Sequence, residues 1–185
     1  VQLPELQDRP VTCQIRMGRG WGPVENISRR LEDGALPILH GGLLDGDVRW
    51  VLTKGKLPAA AWVEIIRTAH EVGLPSSATM MYGHVDDPRH WVTHLGVLKR
   101  IQDQTGGFTE FVPLGFIHSE TRLYQKGGAR AGASFSEDLI VHALARLLLN
   151  DHIPNLQVSW VKLGFDGALA CLEAGANDFS GTLME

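Results

Sequence analysis

SSATMMYGHVDD at residues 76–87, GGFTEFVPLGFIHSE at 106–120 and GANDFSGTLME at 175–185 are three short apolar or β-branched runs that each end in polar groups. Helical stretches lie between them. A strand, its polar C-terminal end and a returning helix form the repeating unit of a parallel α/β barrel, in which the strand ends make the active face. The sequence therefore predicts an α/β fold with its chemistry near those polar residues.

Outward from the first run, Pro58 suits a first helical position, and Trp62, Ile65, Ile66 and Ala69 form one apolar stripe at helical spacing. This predicts a helix over 58–72, stopped by Gly73, Leu74 and Pro75, and then a buried strand over 77–82. Asp87 is placed to cap the next helix, with Pro88 in its first turn and Trp91, Leu95, Leu98 and Ile101 on one face, until Gly106 and Gly107 end it. A strand over 108–113 follows. The link over 114–135 is long and glycine-rich, the character of an active-site loop. Ser136 is the expected cap of a helix burying Leu139, Ile140, Ala143, Leu144, Leu147 and Leu148. Strands over 156–160 and 176–179, with a helix over 166–173 between them, complete four strands and four helices. That is half of a barrel, and 185 residues fall short of the roughly 250 of a complete one. No further internal repeat is visible. Residues 1–45 mix Gly, Pro and Arg with only a strand-like scrap at 35–40, and read as a divergent or poorly ordered N-terminal segment; residues 46–185 carry the barrel pattern.

A formal net charge of −4, from 17 basic and 21 acidic residues in no long run, gives no reason to expect nucleic acid or an anionic membrane as partner. No stretch approaches the ~18 to 20 apolar residues of a membrane span, and VQLPELQDRP has neither a basic nor an apolar leader pattern, so the expectation is a soluble, cytoplasmic protein. Cys13 and Cys171 are its two cysteines, too far apart in sequence to suggest a zinc knuckle or a disulfide framework.

Parallel strands bring their C-terminal ends to one mouth, so Tyr82, Gly83, His84, the 113–118 turn, residues 159–162, and Asn177 with Asp178 are expected to converge. His84 follows a glycine that permits a sharp turn and leaves the imidazole for a ligand; His118 on the long link could act alike or bond loop carbonyls. Tyr82 is either a site residue or strand-end packing. Glu110 is costly inside a barrel unless paired or bound to a cationic ligand. Asn177 and Asp178 could bind ribose hydroxyls or simply form a turn. The candidates are thus Tyr82, His84, Glu110 and His118 as catalytic groups and Asn177 and Asp178 as cofactor-binding groups, with no metal ligands. His70, His90, His94 and His142 fall within helices and read as surface or second-layer groups.

Taken together, residues 54–95, TGGFTEFVPLGFIH, VHALARLLL, NLQVSWVKLG and GANDFSGTLME resemble the tyrosine-using component of FO synthase, a radical SAM family of deazaflavin coenzyme (F420) biosynthesis. The likeness runs from about Asp47 to Glu185, with YGHV, GGFTEFVPL, SWVKLG and GAND as its specific motifs. Menaquinone-pathway radical SAM enzymes are the nearest confusable relatives. The resemblance implies the C-terminal half of a radical SAM (β/α) TIM-type barrel, incomplete. It also implies a 4Fe-4S cluster and S-adenosyl-L-methionine, with L-tyrosine and 5-amino-6-(D-ribitylamino)uracil as substrates. The family joins the 4-hydroxybenzyl part of tyrosine to that uracil as a 4-hydroxyphenyl transferase. An N-terminal barrel half and a second radical SAM domain are the implied partners.

One departure bears on all of this. The family holds its cluster through a C-x-x-x-C-x-x-C loop, whose three thiolates leave one iron open, and this chain has no such loop. By this reading it is an inactive fragment when alone. The competing readings are a metal-dependent TIM-barrel hydrolase using His84, His118 and Asp178 around zinc, and a non-catalytic remnant.

Overall fold

The computed structural model describes residues 43–52, 57–119 and 121–181. The stretch 1–42, with the strand-like scrap at 35–40, lies outside the described residues. The elements are α1 (Gly46–Leu52), α2 (Ala59–Glu71), β1 (Ser76–Tyr82), α3 (Pro88–Thr105), β2 (Phe108–Gly115), α4 (Arg122–Gln125), α5 (Phe135–Leu149), β3 (Gln157–Val158), α6 (Trp160–Glu173) and β4 (Asp178–Phe179).

The α3 helix shows how local chemistry sets the boundaries. Asp87 accepts the backbone N–H of Arg89 at 2.8 Å, the His90 ring accepts that of Asp87 at 3.0 Å, and Pro88 occupies the first turn. Gly106, at φ 62°, closes the other end by donating to the Gln102 carbonyl at 2.8 Å. The chain can then reverse directly into β2.

The result is a mixed α/β fold with two small parallel sheets. β1 pairs with β2, Ser77 opposite Glu110 and Tyr82 opposite Gly115, and β3 pairs with β4, Gln157 opposite Asp178. A parallel bridge between Phe111 and Leu156, with Phe111 N–H donating to the Asn155 carbonyl at 2.9 Å, sets the two sheets side by side. Four parallel strands each followed or preceded by a helix match the expected repeat; the small sheets do not amount to a barrel.

Alternation along β1 sends Ala78, Met80 and Tyr82 to one face, where all three are fully buried with Phe111 of β2 and Val158 of β3. Helices cover this face, presenting Trp91, Leu95 and Leu98 from α3, Val141 and Ala145 from α5, and Ala168 and Cys171 from α6. Each large apolar side chain so buried contributes about 1.5–3 kcal/mol. Ser77, Thr79 and Met81 point the opposite way. Among the described residues, no helix is long and apolar enough to cross a membrane.

Four expectations need correction. Ser134, not Ser136, caps α5: its hydroxyl accepts the Glu137 N–H while the Glu137 carboxylate accepts the Ser134 N–H at 2.8 Å, so Phe135 already lies in the helix. The buried face of α5 is Asp138, Val141, His142, Ala145 and Leu149, leaving Ile140 52% and Leu147 81% exposed. Polar ties to the neighbouring strand, not summed hydrophobicity, fix its rotation. Trp160 opens α6 instead of ending a strand, and the helix is hard to see in sequence because Gly164 (φ 72°, ψ 172°) breaks its period. Finally, His94 and His142 are fully buried and His70 nearly so, because each spends a ring nitrogen on a partner inside the fold.

His94 makes that burial measurable. Its Nε2 donates to the Thr79 carbonyl at 3.1 Å, its Nδ1 has no partner among the described residues, and burial pulls its pKa from 6.5 down to about 3. Between these values the unfolded chain binds a proton that the folded chain refuses, so stability is full above the unfolded value and falls as pH drops below it. Burial acts in the same direction on His70 and His142. Urea denaturation at pH 7 and pH 5 should show a loss of about 2 kcal/mol from His94 on acidification, and H94Q should remove that part of the difference.

Candidate functional site

β1 ends at Tyr82, and the chain turns away through Gly83 at φ 88°. A Cβ at Gly83 would stand 2.5 Å from the Ala133 nitrogen, so only glycine lets the long link pass this close. Asp86 holds the turn: its carboxylate accepts the N–H groups of Gly83 at 3.0 Å and His84 at 2.7 Å, and the Trp91 indole N–H. Burial alone would raise the Asp86 pKa, but bonds from His84, Gly83 and Trp91 outweigh it and hold the carboxyl below its ordinary range. Arg130 adds an Nη2 at 3.9 Å and donates its backbone N–H to the His84 carbonyl at 3.1 Å, which fastens the link over the turn.

His84 is 1% exposed. Its Nε2 lies 3.1 Å from the Met81 carbonyl and its Nδ1 accepts the Val85 N–H at 2.7 Å, with the ring edge-on to Phe116. Both nitrogens are thus engaged inside the turn. Tyr82, also fully buried, turns toward the helices: its hydroxyl donates to Asp138 Oδ1 of α5 at 2.7 Å and its ring meets Trp91 edge-on. Burial and then the neighbouring Asp138 push the phenol far above its usual value.

At this same end, where β2 gives way to the long link, lies a cavity of about 110 Å³. Gly115 and Phe116, Ala131 to Ala133, and Asp138, Lys162 and Leu163 are among the residues that line it. Burial raises the Asp138 pKa, with the Tyr82 hydrogen bond opposing it, and lowers that of Lys162. The Lys162 ammonium donates to the Gly115 carbonyl at 3.1 Å. The expected convergence of the 113–118 turn, the 159–162 segment and the Tyr82 end is therefore present, and the long link does help wall the pocket. Asp138, Asp86 and Arg130 were not among the sequence candidates. The signal for Asp138 was its place four residues after Ser134, in the first turn of a helix that starts beside the strand ends.

The other candidates lie elsewhere. Asn177 and Asp178 stand at the start of β4, not at a strand C-terminal end, because the strand comprises only Asp178–Phe179. Asn177 accepts the Leu156 N–H at 2.7 Å and donates to the Pro154 carbonyl at 3.1 Å, tying the α5–β3 loop. Glu110, near the start of β2, accepts from the Ser77 hydroxyl and, at 3.4 Å, from Gln157 Nε2, which lies 3.4 Å from Asp178 as well. Glu110 and Asp178 thus share one amide. His118 stacks obliquely on Tyr124, ring centroids 4.5 Å apart, while its carbonyl accepts from Thr121 at the start of α4.

Among the described residues, no group of three His, Cys, Asp or Glu side chains is placed to hold a metal ion. The zinc trio of His84, His118 and Asp178 is not assembled. Cys171 is buried on α6, and burial with nearby Asp138 pushes its thiol up to about 11, the opposite of a metal-binding thiolate.

Residues 105–185 match the family model described as CofH/MqnC C-terminal region. The chain is 63% identical over 150 residues to an FO synthase of Mycobacterium tuberculosis (strain CDC 1551 / Oshkosh), covering 81% of this chain and 18% of that protein. It is 54% identical over 170 residues to an FO synthase of Nocardia farcinica, covering 90% of this chain and 20% of the relative. It is 50% identical over 165 residues to a 5-amino-6-(D-ribitylamino)uracil--L-tyrosine 4-hydroxyphenyl transferase of Methanopyrus kandleri, covering 88% of this chain and 45% of the relative. The chain thus spans about a fifth of the FO synthases and under half of the transferase.

The cavity wall can be tested through its turn. Gly83→Ala should destabilise the chain by more than about 2 kcal/mol, from a left-handed φ and a backbone clash together. Gly46→Ala, whose Cβ would meet nothing within 4 Å, should change stability little. Thermal and urea unfolding of the two variants check this; equal melting would show that the link does not close on the turn.

Proposed function

We propose, from the match of residues 105–185 to the CofH/MqnC C-terminal region and the similarity of most of the chain to FO synthases, that it is part of the tyrosine-using component of an FO synthase. In this reading the parent enzyme is a cytoplasmic radical SAM transferase with a (β/α) barrel. It joins the 4-hydroxybenzyl part of L-tyrosine to 5-amino-6-(D-ribitylamino)uracil on the way to the deazaflavin coenzyme. The observation that carries the proposal is the 50% identity to a protein bearing that transferase name, sustained over 88% of this chain. The fold supports it: parallel strands with intervening helices lead to a cavity at strand C-terminal ends, where barrels of this type keep their chemistry.

The cofactors test the assignment residue by residue. A 4Fe-4S cluster that binds S-adenosyl-L-methionine takes three thiolates, and this chain offers Cys13 and a buried, weakly acidic Cys171. The residues present do not fit the cluster, so the radical source is assigned to an N-terminal barrel half outside this chain. What this chain contributes is position and exclusion. The Asp86-locked turn and the 131–133 segment shield the strand ends from water, and Asp138 and Lys162 offer opposite charges to a polar ligand.

Two experiments test the proposal. Replacing the corresponding segment of the Mycobacterium tuberculosis FO synthase with this chain should preserve tyrosine-dependent adduct formation with the uracil, read by mass spectrometry under anaerobic reducing conditions. A folded, cluster-loaded chimera with no adduct would overturn it. Separately, anaerobic reconstitution of this chain alone with iron and sulfide should give no cluster absorbance. Stoichiometric cluster uptake would overturn the division of labour.

A further inference from the structure

Asp138 is the most informative group that the proposed chemistry leaves without a task. It is 8% exposed, and its Oδ1 accepts from Tyr82. No described residue donates to Oδ2, although the carboxylate lines the cavity. That oxygen is open to the cavity, so half of the carboxylate's acceptor capacity is available to a ligand's donor. Lys162 lines the same cavity, spends one ammonium proton on the Gly115 carbonyl and keeps two. Phe116 and Leu163 supply apolar wall.

A positive group and a buried negative one lining the same cavity complement a molecule that carries both charges a few bonds apart. We propose that this cavity seats the zwitterionic head group of an amino acid, its ammonium on Asp138 and its carboxylate on Lys162. A lone amine would leave Lys162 unmatched, and a lone carboxylate would meet Asp138 as a like charge. The volume of about 110 Å³ suits a head group and its first carbons, with the side chain directed out of the cavity. The inference rests on the proposed function only for the choice of tyrosine as that amino acid.

Calorimetric titration of the full chain with L-tyrosine, tyramine, 3-(4-hydroxyphenyl)propionate and L-alanine separates the parts. L-Tyrosine should bind at least tenfold more tightly than either one-charge analogue. K162Q should bring L-tyrosine down to the tyramine level while leaving tyramine unchanged. D138N should bring it down to the propionate level, provided its melting profile shows it folded; K162Q, at an exposed position, carries the test if it does not. Equal binding of the three tyrosine-like ligands, equal loss for all of them in K162Q, or no binding by any would overturn the proposal. Binding of L-alanine without L-tyrosine would keep the head-group seat and remove tyrosine as its occupant. An active chimera beside a cavity that ignores charge would do the reverse.

Discussion

The hydrogen bond from the Tyr82 hydroxyl to Asp138 joins the end of the first strand to the first turn of α5, and much of the architecture depends on it. A carboxylate in the helix layer is tolerated only if something donates to it, and the buried phenol does so at 2.7 Å. This tie fixes the rotation of α5: with Asp138 facing the sheet, Val141, His142, Ala145 and Leu149 must follow it inward at helical spacing. His142 then closes its own ring nitrogen on the Asp138 carbonyl at 2.7 Å. Ile140 and Leu147 are turned outward as a result, although both are more apolar than the Asp138 and His142 that face inward. The same bond leaves the other carboxylate oxygen for the cavity.

The turn after β1 works by a similar exchange of local cost for position. Asp86 is desolvated, yet three donors converge on it, and the Gly83 backbone accepts a left-handed φ that other residues resist. Together they bring the 131–133 segment within van der Waals distance of the strand end. A long link would otherwise have little to hold it there, since loops of this length seldom order without specific anchors. Function in a parallel α/β protein depends on such anchors: strands deliver the site to one end of the sheet, and the links decide whether it is enclosed.

The strands, the capped α3 helix and the returning α2 helix were legible in the sequence because each carries redundant signals. Asp87, Pro88, the Trp91–Leu95–Leu98–Ile101 stripe and Gly106 all name one helix. The α5 face was misread because hydrophobicity was the only signal used, while a polar bond to a strand 56 residues away set the orientation. His94 and His142 were likewise placed too far outward, since sequence does not show that a backbone carbonyl waits for each ring. The family resemblance found in the motifs agrees with the match to residues 105–185, whereas the individual site residues were chosen by strand-end position, which short strands define poorly.

Asn177 and Asp178 make that last point quantitative. In a two-residue strand the start and the end differ by a single residue: β4 pairs Asp178 with Gln157, which the Phe111–Leu156 bridge sets level with Val112 and Thr79, while Glu110 stands level with Ser77. Tyr82 lies five residues beyond Ser77 and three beyond Thr79, so at about 3.3 Å per residue the cavity end is about 16 Å from the Glu110 row and about 10 Å from the Asp178 row. Ser77 and Thr79 point away from the face that carries Tyr82, so Glu110 and Asp178 stand on the side of the sheet opposite Asp138. Their shared bond to Gln157, with Ser77 and Asn155 as further donors, gives them a stabilising task at the strand starts, the end of a parallel fold where polar residues usually serve the scaffold. The two polar clusters therefore divide the molecule: one end joins strands, and the other leaves a charge unspent for a ligand.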